Sequence, residues 1–176
     1  MSTANGRGDS GFTLIEVMVA GSIMSIGLLA LAYCYGQGMA VVMASQQDSI
    51  ARQKAREAME DVLDGRNTDT LSWSQINNVS NGGIFLDGPQ SLTTPGPDGF
   101  VNTADDGPVE TMTMPGPDGI LGTADDITVS LNGYTRTILI TTINANLKQV
   151  TVTVTYTIPP GTQRSFQLVT YVSPYI

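Results

Sequence analysis

Hydrophobic and polar positions divide the chain into four stretches. From Phe12 to Ala44 the side chains are almost continuously apolar, and the only ionisable ones are Glu16 and the weak acids Tyr33, Cys34 and Tyr35. That run far exceeds the ~20 residues a helix needs to cross a bilayer. The apolar character then becomes periodic. In "SQQDSIARQKAREAMEDVLDG", Ala51, Ala55, Ala58, Met59, Val62 and Leu63 recur three and four residues apart, which places them on one helical face. Arg52, Gln53, Arg56, Glu57 and Glu60 fall largely elsewhere. No proline interrupts the chain here, so the pattern predicts one helix from Phe12 to Asp64, roughly 80 Å long at 1.5 Å per residue. Gly65 is its expected C′ stop, and Gly36 and Gly38 its weakest point.

Residues 66–92 are polar and poorly periodic, with Trp73, Ile76, Ile84, Phe85 and Leu86 available to cover a core. The last third is rich in β-branched and aromatic residues. "KQVTVTVTYTI" alternates, with Val150, Val152, Val154, Tyr156 and Ile158 on one face and threonines on the other. With "YTRTILITTI" before it and "RSFQLVTYV" after it, and turns at Asn144–Asn146 and Pro159–Gly161, this predicts an antiparallel meander over 134–172. Its apolar face would pack on the second half of the helix, giving an α+β architecture. The Thr-rich outer face reads as solvated β surface.

Charge and composition narrow the function. The 176 residues carry 8 basic and 16 acidic side chains, a net −8, which argues against nucleic-acid binding and makes cations the more natural partners. Histidine is absent, so Ser–His chemistry and His-ligated zinc are excluded. Cys34 is the single cysteine, and no internal disulfide can form; inside an oily helix it reads as a small apolar residue.

Glu16 is the costly element of the oily run, because a lone charge in a membrane helix usually has a task and a partner. Before it lies the polar segment "MSTANGRGDSG". A secretory signal fits poorly, since the apolar run is too long and the polar part sits where cleavage would discard it. The "RGDS" at Arg7–Ser10 is a chance match in such a leader.

"GFTLIEVMVA" resembles the processing and assembly motif of type IV pilins and of the pseudopilins of type II secretion: Gly, an aromatic, an apolar run, and Glu fifth after the cut. The helix that follows is similar to the family's over residues 11–65. "IGLLALA" (Ile26–Ala32) resembles minor pilins and pseudopilins more than major pilins, which often carry a proline in this region. The family usually has Lys or Arg before the Gly, where this chain has Ser10.

The resemblance implies a pilin fold divided as a leader 1–11, a hydrophobic transmembrane and assembly helix 12–44, its amphipathic half 45–65, and a head 66–176. It implies that a prepilin peptidase cuts between Gly11 and Phe12 and methylates the new amine of Phe12. Residues 12–44 would then lie among the lipids of the bacterial inner membrane as a single pass. An inner-membrane assembly platform would polymerise them with other pilin subunits into a periplasmic or cell-surface filament. Physical logic agrees: the Phe12 amine and the Glu16 carboxylate are each costly in an apolar setting, and pairing offsets much of that cost. In a staggered bundle, Glu16 of one subunit can meet Phe12 of the next and set the register.

The middle of the chain repeats. "PGPDGFVNTADDG" (95–107) returns as "PGPDGILGTADDI" (115–127), so Asp98, Asp105 and Asp106 correspond to Asp118, Asp125 and Asp126. From Asp87 to Asp126 there are eight acidic residues and no Lys or Arg. Crowded carboxylates repel one another unless a cation or solvent screens them, and Asp oxygens with loop carbonyls are the ligand set Ca²⁺ prefers. The spacing is not that of an EF-hand. The second loop is similar to the calcium loop of major pseudopilins, and the first differs by having Asn102 where the second has Gly122. The expected ligands are Asp118, Asp125 and Asp126 in one site and Asp98, Asp105 and Asp106 in a second.

The functional expectation is a calcium-stabilised structural subunit of a type IV pilus-like filament, a minor pilin or a pseudopilin. A major pilin is one alternative. Another is a membrane-tethered, calcium-dependent binding module that never polymerises. An enzyme fits worst, because the paired Asp residues have no His, Lys or Cys beside them in sequence.

Overall fold

The structure, a computed structural model, describes residues 11–158 and 161–175. Expectations for residues 1–10, and for Pro159 and Pro160 of the last turn, lie outside the described residues.

One helix, α1, runs Leu14–Asn67 over 54 residues, unbroken at Gly36 and Gly38. The reading of Gly65 as a helix stop is corrected. Gly65 is buried inside the helix, where a Cβ would meet Phe100 Cε1 at 2.7 Å and Leu71 Cδ1 at 2.8 Å. Its bare backbone makes room for the side chains that close the core over the last turn. The helix ends just beyond, where Thr68 Oγ1 donates to the Asp64 carbonyl at 2.6 Å and Asp69 turns to φ 55°.

The chain divides into two compact units between Val42 and Met43. In the first, the helix is apolar on all sides and fully exposed, with Ile15, Met18, Ile23, Leu28 and Leu31 among its uncovered side chains. It is long and apolar enough to cross a membrane.

The second unit holds the rest of α1 and six strands: β1 (Gln90–Ser91), β2 (Thr111–Met114), β3 (Ile127–Ser130), β4 (Tyr134–Asn144), β5 (Leu147–Ile158) and β6 (Thr162–Val172). β4, β5 and β6 form the antiparallel meander, and β1 adds to its β4 edge. β2 and β3 form a separate two-stranded hairpin. One helix and an antiparallel sheet make an α+β fold consistent with that of the pilins.

Alternation decides which face is covered. Val150, Val152, Val154 and Tyr156 are buried together with Ile138 and Ile140 from β4. Against them lie Ala51, Ala55, Ala58, Met59 and Val62 of α1, all buried in the same cluster. Each fully buried valine contributes about 1.5–3 kcal/mol relative to exposure. Ile76 and Phe85 complete the core, as their apolar character predicts.

The β4 edge beyond β1 is closed by side chains rather than by a strand. Asn78 Nδ2 donates to Ile138 O at 2.7 Å, and Asn78 Oδ1 accepts from Ile140 N at 2.8 Å, so one amide pairs with the strand as a peptide group would. Asn102 Nδ2 does likewise with Arg136 O at 3.1 Å. These amides satisfy backbone groups that a buried edge could not leave unpaired.

Candidate functional site

Two regions matter: the start of α1 and the paired acidic loops. Gly11, Phe12 and Thr13 carry no regular structure, and the helix begins immediately after them. The Gly11–Phe12 bond therefore lies in non-helical chain, with Phe12 89% exposed. Thr13 closes the helix start. Its Oγ1 accepts from Glu16 N at 3.3 Å, and the Glu16 carboxylate accepts from Thr13 N at 2.9 Å and from Thr13 Oγ1 at 2.8 Å. This is a capping box, which satisfies orphan amides at a helix N-terminus. Glu16 thus has a partner within its own chain. The Thr13-x-x-Glu16 spacing carries that signal in the sequence.

The sequence repeat is a structural repeat. Asp98 N donates to Asp105 Oδ2 at 3.1 Å, and Asp118 N to Asp125 Oδ2 at 3.3 Å. Phe100 N and Ile120 N each donate to the aspartate two residues earlier, at 2.8 Å in both loops. Asn102 N reaches Asp106 Oδ2 at 2.9 Å, and Gly122 N reaches Asp126 Oδ2 at 2.7 Å. Thr103 and Thr123 hydroxyls donate to Asp105 and Asp125 at 2.8 and 2.6 Å. These hydroxyl bonds are the main cause holding the Asp105 and Asp125 carboxyls below the usual carboxylate range. The replacement of Asn102 by Gly122 in the second loop also has a backbone reason. Asn102 and Gly122 sit at φ 60° and 90°, and Asn and Gly are residues that accept the left-handed region.

The loops part company in what surrounds them. In the first, Phe100, Val101, Asn102 and Thr103 are buried in the core. In the second, at the tip of the β2–β3 hairpin, Ile120 and Leu121 are each 61% exposed. Asp106 accepts from Thr93 Oγ1 at 2.6 Å, and from Thr103 N and Thr103 Oγ1 at 3.1 Å each, besides Asn102 N. Its counterpart Asp126 accepts, among the described residues, from Gly122 N alone, and its Oδ1 is buried without a hydrogen-bond partner among them. Among the described residues, no group of three or more His, Cys, Asp or Glu side chains is gathered closely enough to hold a metal ion. The six aspartates therefore lie in two similar loops without being gathered into ligand sets, most of their oxygens turned to their own backbone.

A buried charge network adjoins the first loop and was not legible in the sequence. Arg136, 1% exposed, donates from Nε to Asn102 Oδ1 at 2.7 Å and lies 3.6 Å from the Glu110 carboxylate. Glu110 also pairs with Lys54 of α1, which pairs in turn with Glu57 at 2.7 Å. Burial lowers the Lys54 affinity for its proton, but the bonds to Glu110 and Glu57 prevail and hold it above its ordinary value. Burial pushes Arg136 down, and the same environment raises Asp61 to about 6, burial being the main cause and Arg136 opposing it. The first loop is thus served by a positive charge from the chain itself, and the second is not.

Comparison with known proteins adds one result. The chain matches the prokaryotic N-terminal methylation motif over residues 6–32, which fits a type IV pilin-like protein. That stretch contains Gly11, Phe12, Thr13 and Glu16. No curated protein and no solved structure matches the chain.

Proposed function

We propose that this chain is a structural subunit of a type IV pilus-like filament, a minor pilin or a type II secretion pseudopilin, that assembles through α1 after removal of residues 1–11. The observation that carries the reading is the methylation motif spanning the Gly11–Phe12 bond and Glu16. Two features support it: the bond lies just ahead of the helix in non-helical chain, and the helix after it is apolar on every side. An exposed surface of that kind suits lipid before assembly and other subunits after it. The role is structural rather than enzymatic. Mass spectrometry of the mature protein tests it, and a chain beginning at methylated Phe12 is the expected result. Retention of Met1 in surface-exposed protein would overturn the reading and favour a tethered module that does not polymerise.

The same proposal places calcium in the loop Asp118–Asp126. Asp126 Oδ1 is a buried oxygen with no donor, in a loop without Lys or Arg, and a hard cation answers both deficits. Asp118, Asp125 and Asp126 are not gathered closely enough to hold an ion as they stand, so they would close around it together with loop carbonyls. In the first loop Asp106 is already satisfied by four protein donors, so Asp98, Asp105 and Asp106 form the weaker site. Thermal melting in calcium and in chelator tests the assignment: a higher midpoint with calcium supports it, and identical midpoints overturn it.

A further inference from the structure

The two edges of the β1–β4–β5–β6 sheet are built differently. The β4 edge is closed by β1, Asn102 and Asn78. The β6 edge pairs with nothing among the described residues beyond β5, so alternate residues along its eleven-residue length point N–H and C=O groups outward. Natural edge strands are protected by charges, prolines, bulges or brevity. "TQRSFQLVTYV" has none of these except Arg164 near its start, and its register with β5 runs without a bulge from Thr162 to Val172.

The segment Leu168–Val172 is also self-complementary. When two copies lie antiparallel about Thr170, Leu168 falls opposite Val172 and Val169 opposite Tyr171, each pair occurring twice. Aromatic and β-branched residues facing each other across strands are among the stabilising pairs. The outer face of the sheet continues the patch. Val169 is in register with Thr151 and Leu139, and Tyr171 with Gln149 and Thr141. Leu139, Val169 and Tyr171 are 53%, 44% and 59% exposed, and Gln149 Nε2 fixes the Tyr171 hydroxyl at 2.9 Å.

Charge determines which partner fits. Two copies of a chain carrying −8 repel, so they approach best where the acidic side chains that make up that charge are absent. No acidic residue occurs from Ile127 to Ile176, and the charges that lie against β6 and the residues after it are cations of α1: Arg52 over the Phe166 ring at 4.7 Å, and Arg66, which donates to the Ser173 and Tyr175 carbonyls. The first acidic loop, by contrast, is fastened to the opposite, β4 edge through Asn102. We propose that β6 is a pairing edge for a second copy of this chain, joined antiparallel about Thr170 so that two four-stranded sheets become continuous. Such a contact is isologous and closes on itself, unlike the head-to-tail contacts that extend a filament. It does not depend on polymerisation through the helix.

Cysteine placement in the full-length chain, in detergent and with Cys34→Ser as background, reads the register directly. Residues directly opposite in an antiparallel pair have Cβ atoms close enough for a disulfide. Thr170→Cys should therefore oxidise to a dimer, whereas Ser165→Cys and Gln167→Cys, displaced from the centre, should give about tenfold less, given the steep distance limits of the bond. Adding Val169→Lys and Tyr171→Lys, on the exposed face, should lower the Thr170→Cys dimer about tenfold, as like charges on an edge do, without moving the thermal midpoint. Equal yields at the three positions overturn the proposal. So does a dimer indifferent to the two lysines. So does the absence of a Thr170→Cys dimer, whether the edge stays open or takes a strand of another protein.

Discussion

Asn102 and Arg136 grip each other by both ends: Asn102 Oδ1 accepts from the guanidinium at 2.7 Å, while Asn102 Nδ2 donates to the Arg136 carbonyl at 3.1 Å. The pair fixes the first acidic loop to β4 and gives a buried cation its acceptor. Asn102→Gly keeps a residue that accepts φ 60° but removes the amide. It should cost about 2–3 kcal/mol, the range for a buried charged group left without its bond. Urea unfolding checks this, and a loss under about 0.5 kcal/mol, within the range of a surface change, would show that Glu110 alone suffices for Arg136.

The two loops also predict different responses to substitution. With calcium bound as proposed, stabilisation would reach about 2.7 kcal/mol when the ion is at a hundred times its dissociation constant, and Asp126→Asn should abolish it. Asp106→Asn should destabilise the chain even in chelator, because its carboxylate serves protein donors. Paired melting curves for the two variants measure both effects.

Gly65 gives a test of packing against propensity. Alanine favours a helix over glycine by about 1 kcal/mol. Here the added methyl meets Phe100 and Leu71 inside 3 Å, and overpacking of that kind costs about 1–3 kcal/mol. Gly65→Ala should be net destabilising by denaturant unfolding. A gain in stability would mean that the Phe100 ring moves aside freely.

Removal of Glu16 separates two roles. Glu16→Ala should leave cleavage after Gly11 largely intact, fray the helix start at a cost of about 1 kcal/mol, and impair incorporation into filaments. Thr13→Ala removes the same cap but keeps the carboxylate, so it should incorporate better. Immunoblots of sheared surface fractions compare them. Equal incorporation of Glu16→Ala and the parent chain would remove the proposed register role.

Asp61 sets a pH dependence of unusual sign for a carboxylate. Its folded-state value is raised to about 6 from 3.8, so the folded chain holds this proton more tightly than the unfolded one. Its contribution is present below pH ~4, is lost as pH rises to about 6, and stays lost above that. Arg136 opposes the shift, and Glu57, Asp64 and Glu60 add to it. Asp61→Asn should flatten this slope and stabilise the chain at pH 7 by about 1 kcal/mol, less than the full shift because the side chain is partly solvated. Denaturation at pH 4.5 and pH 7 measures the difference.

Periodicity made the framework legible. The three- and four-residue spacing of Ala51, Ala55, Ala58, Met59 and Val62 placed the covered helix face, and alternation from Val150 to Tyr156 placed the covered sheet face. Both signals survive because one side of a regular element meets the core along its whole length. The short elements lacked such a signal. β1 has two residues, and β2 and β3 have four each with little burial contrast. Gly65 misled for a related reason: its meaning lies in Phe100, far off in sequence, which no local pattern contains.

The candidate site was half legible. The repeat announced two similar acidic loops, and the backbone donors Asp98, Phe100 and Asn102 of the first do recur as Asp118, Ile120 and Gly122 of the second. What distinguishes them comes from elsewhere: Thr93, Arg136, Glu110 and Lys54 converge on the first loop by tertiary folding alone. The Asn102–Gly122 difference marked the spot without revealing its cause. In one loop the chain supplies its own cation, and in the other it leaves an aspartate oxygen unanswered.

Trp73 is the only tryptophan, and the Lys148 ammonium lies 4.4 Å from the centre of its ring while donating to the Trp73 and Ile76 carbonyls. The indole N–H is tied to Ala145 O at 3.0 Å, in the turn between β4 and β5. The chain therefore contains a single indole, which can be excited apart from its six tyrosines, placed where the segment after α1 docks on the sheet. Its emission should report the loss of that docking in every variant above, without a dye or a label.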